Sequence, residues 1–140
     1  MKFYIASRLK NFEQVQTLAF LLKQYGWEHT YDWTAHSFVQ EANVEALQAI
    51  GQKELDGVRD ADIVIVLTPQ GGGTHVELGV AIALNKTIYI CHEDDMYFQC
   101  DNHTSPFYWL PNVHRIVGSV KELADILHET RKGAEFHALA

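Results

Sequence analysis

Two glutamates, Glu54 and Glu77, stand in surroundings that suggest chemistry. Glu77 lies in TPQGGGTHVELGVAIALNK, residues 68–86, where three glycines and a threonine lead into an apolar run. A glycine loop entering a helix presents unpaired backbone N–H groups and a positive dipole end, and both favour an anion. Gly71, Gly72, Gly73 and Thr74 are therefore expected to line a substrate. With a helix expected from about Thr74 to Leu84, Glu77 falls in its first turn, where the dipole keeps the side chain ionised. A fixed, charged carboxylate acts as a nucleophile or cation stabiliser rather than a proton donor. The same spacing also fits a plain cap, because Thr74 and Glu77 match the pattern of a hydroxyl residue followed three positions later by an acid.

Glu54 interrupts a helical stripe formed by Leu47, Ile50, Leu55 and Val58. Partial desolvation there would raise its pKa and suit it to donate or shuttle a proton. A narrower stripe would leave it at a solvated margin, and the pattern alone leaves both open. Asp62 opens a strand and reads as a turn residue. The stretch YDWTAHSF brings Tyr31, Asp32, Trp33, His36 and Phe38 together; such rings either stack a planar base or join the core. Ser7, Arg8 and Lys10 are placed to hold a phosphate or a sugar hydroxyl, although Arg8 also fits a solvated surface charge. Cys91 and Cys100 lie near His92, Asp101 and His103, but no CxxC or HExxH is present. No metal site and no cofactor are expected, and both thiols read as reduced.

These residues must be positioned by alternating strands and helices. FYIA at residues 3–6 is a first strand, and Phe12, Val15, Leu18, Ala19 and Leu22 mark a helix capped by Asn11 and closed by Gly26. WEHTY is a second strand, followed by a helix from about Gln40 to Arg59. DIVIVLT has the unbroken β-branched character of a strand covered on both faces. TIYIC is a fourth strand and HRIVG a fifth, separated by an irregular stretch near 92–112; Ser119 caps a last helix, VKELADILHE. The expected fold is α/β, a single doubly wound domain over 1–140 with a mostly parallel five-stranded sheet of flavodoxin or Rossmann type. Residues 131–140 are expected to form a loosely held tail. In such folds ligands sit beyond the carboxyl ends of the strands, where Ser7 and Arg8, Asp32 and Trp33, the glycine loop, and Cys91 to Glu93 should converge.

Composition narrows the partners. The 140 residues carry a formal net charge of -7, so nucleic-acid binding is not expected, and no apolar run approaches the ~20 residues that a membrane span needs. A cytoplasmic protein acting on small molecules is expected.

FYIAS, ELDGVRDADIVIVLT and GGGTHVELGVAIALNKTIYI together resemble the nucleoside 2-deoxyribosyltransferase family, which includes 2′-deoxynucleoside 5′-monophosphate N-glycosidases. The resemblance spans roughly residues 3–91. It implies that Glu77 attacks the anomeric carbon of a nucleoside or nucleoside 5′-monophosphate, that Tyr4 supports Glu77, and that Glu54 is the second acid. Asp32 and Trp33 would frame the base. Glu54 replaces the family's usual aspartate, and Gly71 stands where relatives carry an aspartate that contacts the base or a serine that contacts the phosphate. The resemblance also implies a homo-oligomer, with a neighbouring subunit completing the pocket. Two alternatives stand beside this reading: a protein that binds a nucleotide or nucleotide-derived signal without turning it over, and a phosphoribohydrolase, whose arginine motif ahead of the glycine loop is not evident.

Overall fold

The computed structural model describes residues 1–35 and 43–139, with side chains described through Lys132. Five parallel strands, β1 (Lys2–Ala6), β2 (Glu28–His29), β3 (Ile63–Leu67), β4 (Thr87–His92) and β5 (Val113–Val117), form one sheet in the order β2-β1-β3-β4-β5. The helices are α1 (Phe12–Gln24), α2 (Val44–Asp60), α3 (Gly72–Ala83) and α4 (Val120–Leu139). α1 packs with α4 and α2 packs with α3, one pair on each face of the sheet. This is the doubly wound architecture expected of alternating strands and helices.

Register partners on neighbouring strands share a face, and successive residues along a strand alternate between faces. Tyr4, Val64 and Ile88 are register partners facing α2 and α3, while Ile5, Ile65 and Tyr89 face α1 and α4. Every residue of β3 is buried, as its apolar run requires. Val15, Leu18 and Leu22 of α1 and Leu123 and Leu127 of α4 fill one layer; Val58, Leu78 and Ala81 contribute to the other.

Several boundaries differ from expectation, each for a local reason. β2 shrinks from WEHTY to Glu28–His29 because it pairs only with Lys2 and Phe3, after which the Thr30 hydroxyl donates to the Gly57 carbonyl at 2.7 Å. Asn11 precedes α1 but does not cap it; its amide instead donates to Ser7 Oγ and to the Pro69 carbonyl, each at 2.8 Å. α2 begins at Val44, capped by Asn43, whose side chain accepts from the Ala46 N–H at 2.8 Å. The earlier start expected near Gln40 lies outside the described residues, as do His36 and Phe38. α4 runs to Leu139, through the stretch expected to be a loose tail. Gly26 does close α1, at φ 82, in the left-handed region that glycine enters freely. Among the described residues no helix is long and apolar enough to cross a membrane.

Candidate active site

The site is built around Tyr4. Its place in β1, register-paired with Val64, turns the ring into the layer below α2 and α3, where it is fully buried. α2 comes unusually close above it because of Gly57. A Cβ at that position would stand 2.9 Å from Tyr4 Cδ2 and 3.0 Å from Tyr31 Cβ, so only a hydrogen fits. One turn earlier on α2 is Glu54, half-buried, and burial raises its pKa.

Glu77 approaches from α3. It is the sixth residue of that helix, because α3 begins at Gly72 rather than at Thr74. The expected cap between Thr74 and Glu77 is therefore not formed: Thr74 Oγ1 accepts from the Gly71 N–H at 3.1 Å, and Glu77 is free of capping duty. The expectation of an ionised carboxylate held by the helix end is also corrected. In the second turn the dipole has faded, and burial pushes the Glu77 carboxyl up to about 8. Tyr4 opposes this rise, since its hydroxyl stabilises the charged form, whereas the Glu54 carboxyl nearby adds to it. The Tyr4 phenol is itself driven well above the ordinary tyrosine range, first by burial and then by Glu77 and Glu54. Tyr31 joins the cluster, raised by burial and then by Glu54 and Asp32.

Tyr4 Oη and Glu77 Oε2 are both closed off from solvent, and neither reaches a partner at hydrogen-bond geometry among the described residues. The Tyr4 hydroxyl is thus close enough to favour the charged form of Glu77, while Glu77 Oε2 has no partner of its own. A buried polar atom left unpaired is expensive, and native structures retain such groups mainly where a reaction or a ligand uses them.

The sequence pattern of the nucleoside 2-deoxyribosyltransferase family matches residues 3–123. The chain belongs to that family. No curated protein sequence matches it significantly. Among solved structures, its fold resembles that of the CMP N-glycosidase BcmB of Clostridium botulinum, with a TM-score of 0.61 and 20% identity, covering 91% of this chain and 99% of that one. As a member of the deoxyribosyltransferase family, the protein is an enzyme of the N-glycosidase or transferase type.

The structure of this family member brings Tyr4, Glu54 and Glu77 together and places the other expected residues elsewhere. Trp33 is 7% exposed, and its indole N–H donates to the Ile5 carbonyl at 2.7 Å, so it is a core residue with no open face for a base. Ser7 donates to the Leu67 carbonyl at 2.7 Å while receiving Asn11, which commits its hydroxyl to tying β1 to β3. Asp32 accepts from the Thr34 N–H at 3.0 Å and from its hydroxyl. Gly71 approaches Arg8, but an added Cβ would meet Arg8 Cβ at 3.4 Å, an ordinary contact; Gly72 and Gly73 are exposed with open space around them. None of the three takes a positive φ, so their smallness leaves the front of α3 uncovered rather than permitting a turn.

Arg8 is half-buried and lines a cavity of about 610 Å³ with Asn11, Leu67, Cys91, His92 and Ser119. That cavity lies on the α1–α4 side, and neither Tyr4, Glu54 nor Glu77 lines it. The strand-end residues Arg8, Thr68, Pro69, Cys91, His92 and Glu93 meet around this cavity, while Tyr4, Glu54 and Glu77 lie apart from it on the face toward α2 and α3. Burial pushes the Cys91 thiol up to about 12, making it unreactive, and Cys100 is exposed. Among the described residues no group of three or more His, Cys, Asp or Glu side chains could hold a metal ion.

Gly57 is the participant that residue-type reasoning missed, whereas Tyr31, singled out as a ring that either stacks a base or joins the core, stands against Gly57 and the Tyr4 cluster. Gly57 sits inside ELDG, and the signal was a glycine within an otherwise good helix, a position that weakens the helix unless close packing requires it.

Proposed function

We propose that this enzyme cleaves or transfers at the N-glycosidic bond of a (deoxy)nucleoside or nucleoside 5′-monophosphate, with Glu77 as nucleophile. The observation that carries the reading is the Glu77 carboxyl, with Oε2 buried and without a partner, beside Tyr4 and Glu54 in a chain of this family. An oxygen of the ionised Glu77 attacks the sugar C1′ as the bond to the base nitrogen breaks, and the base departs with the electron pair. The transition state is oxocarbenium-like, as in retaining glycosidases. Water then hydrolyses the glycosyl ester, or the nitrogen of a second base displaces Glu77. Glu54, whose pKa burial raises, holds a sugar hydroxyl or delivers a proton to the leaving base. Tyr4 orients Glu77 and favours its charged form.

Val44 and Leu47 on α2 and Val76 on α3 are 78%, 58% and 66% exposed, on the two helices that carry Glu54 and Glu77. A second copy of the chain covering these side chains would wall the substrate in, in keeping with the family resemblance, and light scattering reads the oligomeric state directly.

Mass spectrometry of base release decides the reaction. The panel is purine and pyrimidine nucleosides, ribo and deoxy, and their 5′-monophosphates, each with and without an acceptor base. Release by the wild type that Glu77→Ala abolishes is the expected result. Undiminished turnover in the variant rejects Glu77 as nucleophile, and tight binding with no release by the wild type favours the non-catalytic alternative.

A further inference from the structure

The connection from β4 to β5 carries a short 3-10 turn, Pro106–Trp109, anchored by Ser105, whose hydroxyl accepts from the Phe107 N–H. Its purpose is visible in Tyr108, the buried member of the turn. The Tyr108 hydroxyl is met by Gln70 Nε2 and stands 3.1 Å from His75 Nε2, and its ring stacks on that imidazole at an interplanar angle of 13°. Gln70 is the residue before the α3 N-cap Gly71, and His75 is the fourth residue of α3, two before Glu77. One hydroxyl therefore grips the glycine loop on both sides of the α3 start. The turn is itself fastened: Arg115 donates to the Tyr108 carbonyl at 2.8 Å and to that of Val113 at 3.2 Å, and its guanidinium lies 4.4 Å from the Trp109 ring centroid.

We propose that Tyr108 is a positioning residue for the glycosidic site, acting through Gln70 and His75 to set where α3 begins and hence where Glu77 stands against Tyr4. The proposal rests on the function proposed above, because it gives Glu77 the reacting role. The physical case is that another outside restraint, the Asn11 amide on the Pro69 carbonyl at 2.8 Å, lies before Gln70, so it is Tyr108 that ties Gln70 to His75 across the start of α3. Within the loop the Gly71 N–H donates to Thr74 Oγ1 at 3.1 Å and the His75 N–H to the Gly71 carbonyl at 3.4 Å, and side chains added at Gly72 or Gly73 would meet nothing within 4 Å. A hydroxyl can accept from one neighbour while donating to the other, so the chain from the Gln70 amide through Tyr108 to an unprotonated His75 Nε2 is satisfied in one arrangement.

The test is Tyr108→Phe, which keeps the stacked ring and deletes the hydroxyl, with Phe107→Ala as a control in the same turn. Three readouts are taken on the full-length protein: thermal melting, the carboxyl ¹³C resonance of Glu77 across pH, and base release. The expected result is a melting temperature within a few degrees of wild type, a displaced Glu77 resonance and midpoint, and kcat reduced by roughly two- to tenfold with little change in KM. Phe107→Ala should leave all three unchanged. A Glu77 resonance and midpoint identical in Tyr108→Phe and wild type overturns the proposal, whatever the rate does. Should the wild type release no base, the functional reading fails, while the Glu77 titration still decides whether Tyr108 positions that carboxyl.

Discussion

At the residue scale the informative contrast is between Glu77 and the dipole-stabilised anion expected of it. A carboxyl with its midpoint near 8 is mostly protonated at neutral pH, so nucleophilic attack requires the charged minority and should accelerate as pH rises toward and through 8. Tyr4 is the group that counters the burial, which makes its substitution diagnostic. Tyr4→Phe should move the alkaline rise of kcat to higher pH and lower the rate at pH 7 by roughly two- to tenfold. A pH–rate profile of the two proteins checks this, and an unshifted profile means that the phenol does not tune Glu77. Glu54 was legible from its helix face, and its raised pKa follows from burial as the stripe suggested. Glu77 was legible as a residue of interest but not in its protonation. That depends on which turn of α3 it occupies, and a run of three glycines does not mark where a helix starts.

At the element scale the arrangement depends on α2 lying close over β1. Gly57→Ala would place a methyl group within 3.0 Å of the Tyr4 ring and of Tyr31 Cβ, forcing α2 outward or the ring out of its rotamer. Overpacking of this kind typically destabilises by about 1–3 kcal/mol. Because Glu54 rides on the same helix, turnover should fall by more than the loss of stability explains. Melting curves beside kcat at a temperature where both proteins are folded separate the two effects; a destabilised variant with normal kcat would show that the spacing matters only for packing. The strand–helix alternation and the all-buried β3 were plain in the sequence, since apolar periodicity reports covering on one or two faces. The roles of Trp33 and Ser7 were not. An aromatic at a strand end looks the same whether its N–H meets a ligand or, as here, the Ile5 carbonyl, and a serine hydroxyl gives no sign that Leu67 will claim it.

For the whole molecule, two buried groups set opposite pH limits on stability. His29 stacks on Phe3 at 4.6 Å, neither ring nitrogen has a partner among the described residues, and burial lowers its pKa to about 4. A depressed folded-state pKa means that its contribution is complete above the unfolded value of about 6.5 and is lost as pH falls toward 4. Glu77 runs the other way. With its folded pKa raised to about 8, its contribution is complete below the usual carboxylate range and is lost as pH climbs through 8. Between about 4.5 and 6.5 the two slopes oppose and largely cancel, so these groups leave melting temperature nearly flat there and lower it from about 6.5 to 8. Glu77→Gln should flatten the alkaline decline and raise the melting temperature at pH 8 while abolishing turnover, a trade common at reacting groups. His29→Phe should remove the compensating slope, so that the decline due to Glu77 begins near 4.5 rather than near 6.5. A thermal-shift series from pH 4 to 9 on the three proteins checks both arms, and parallel curves would refute the assignment.

The amide of Asn11 has one more effect. By joining Ser7 and Pro69 while Ser7 reaches Leu67, it laces together the strand tips at the β1–β3 crossover, where an open sheet of this kind ordinarily admits its ligand. On the function proposed above, a substrate of Glu77 would be reached on the other face of the sheet, the one toward α2 and α3 to which Tyr4 turns.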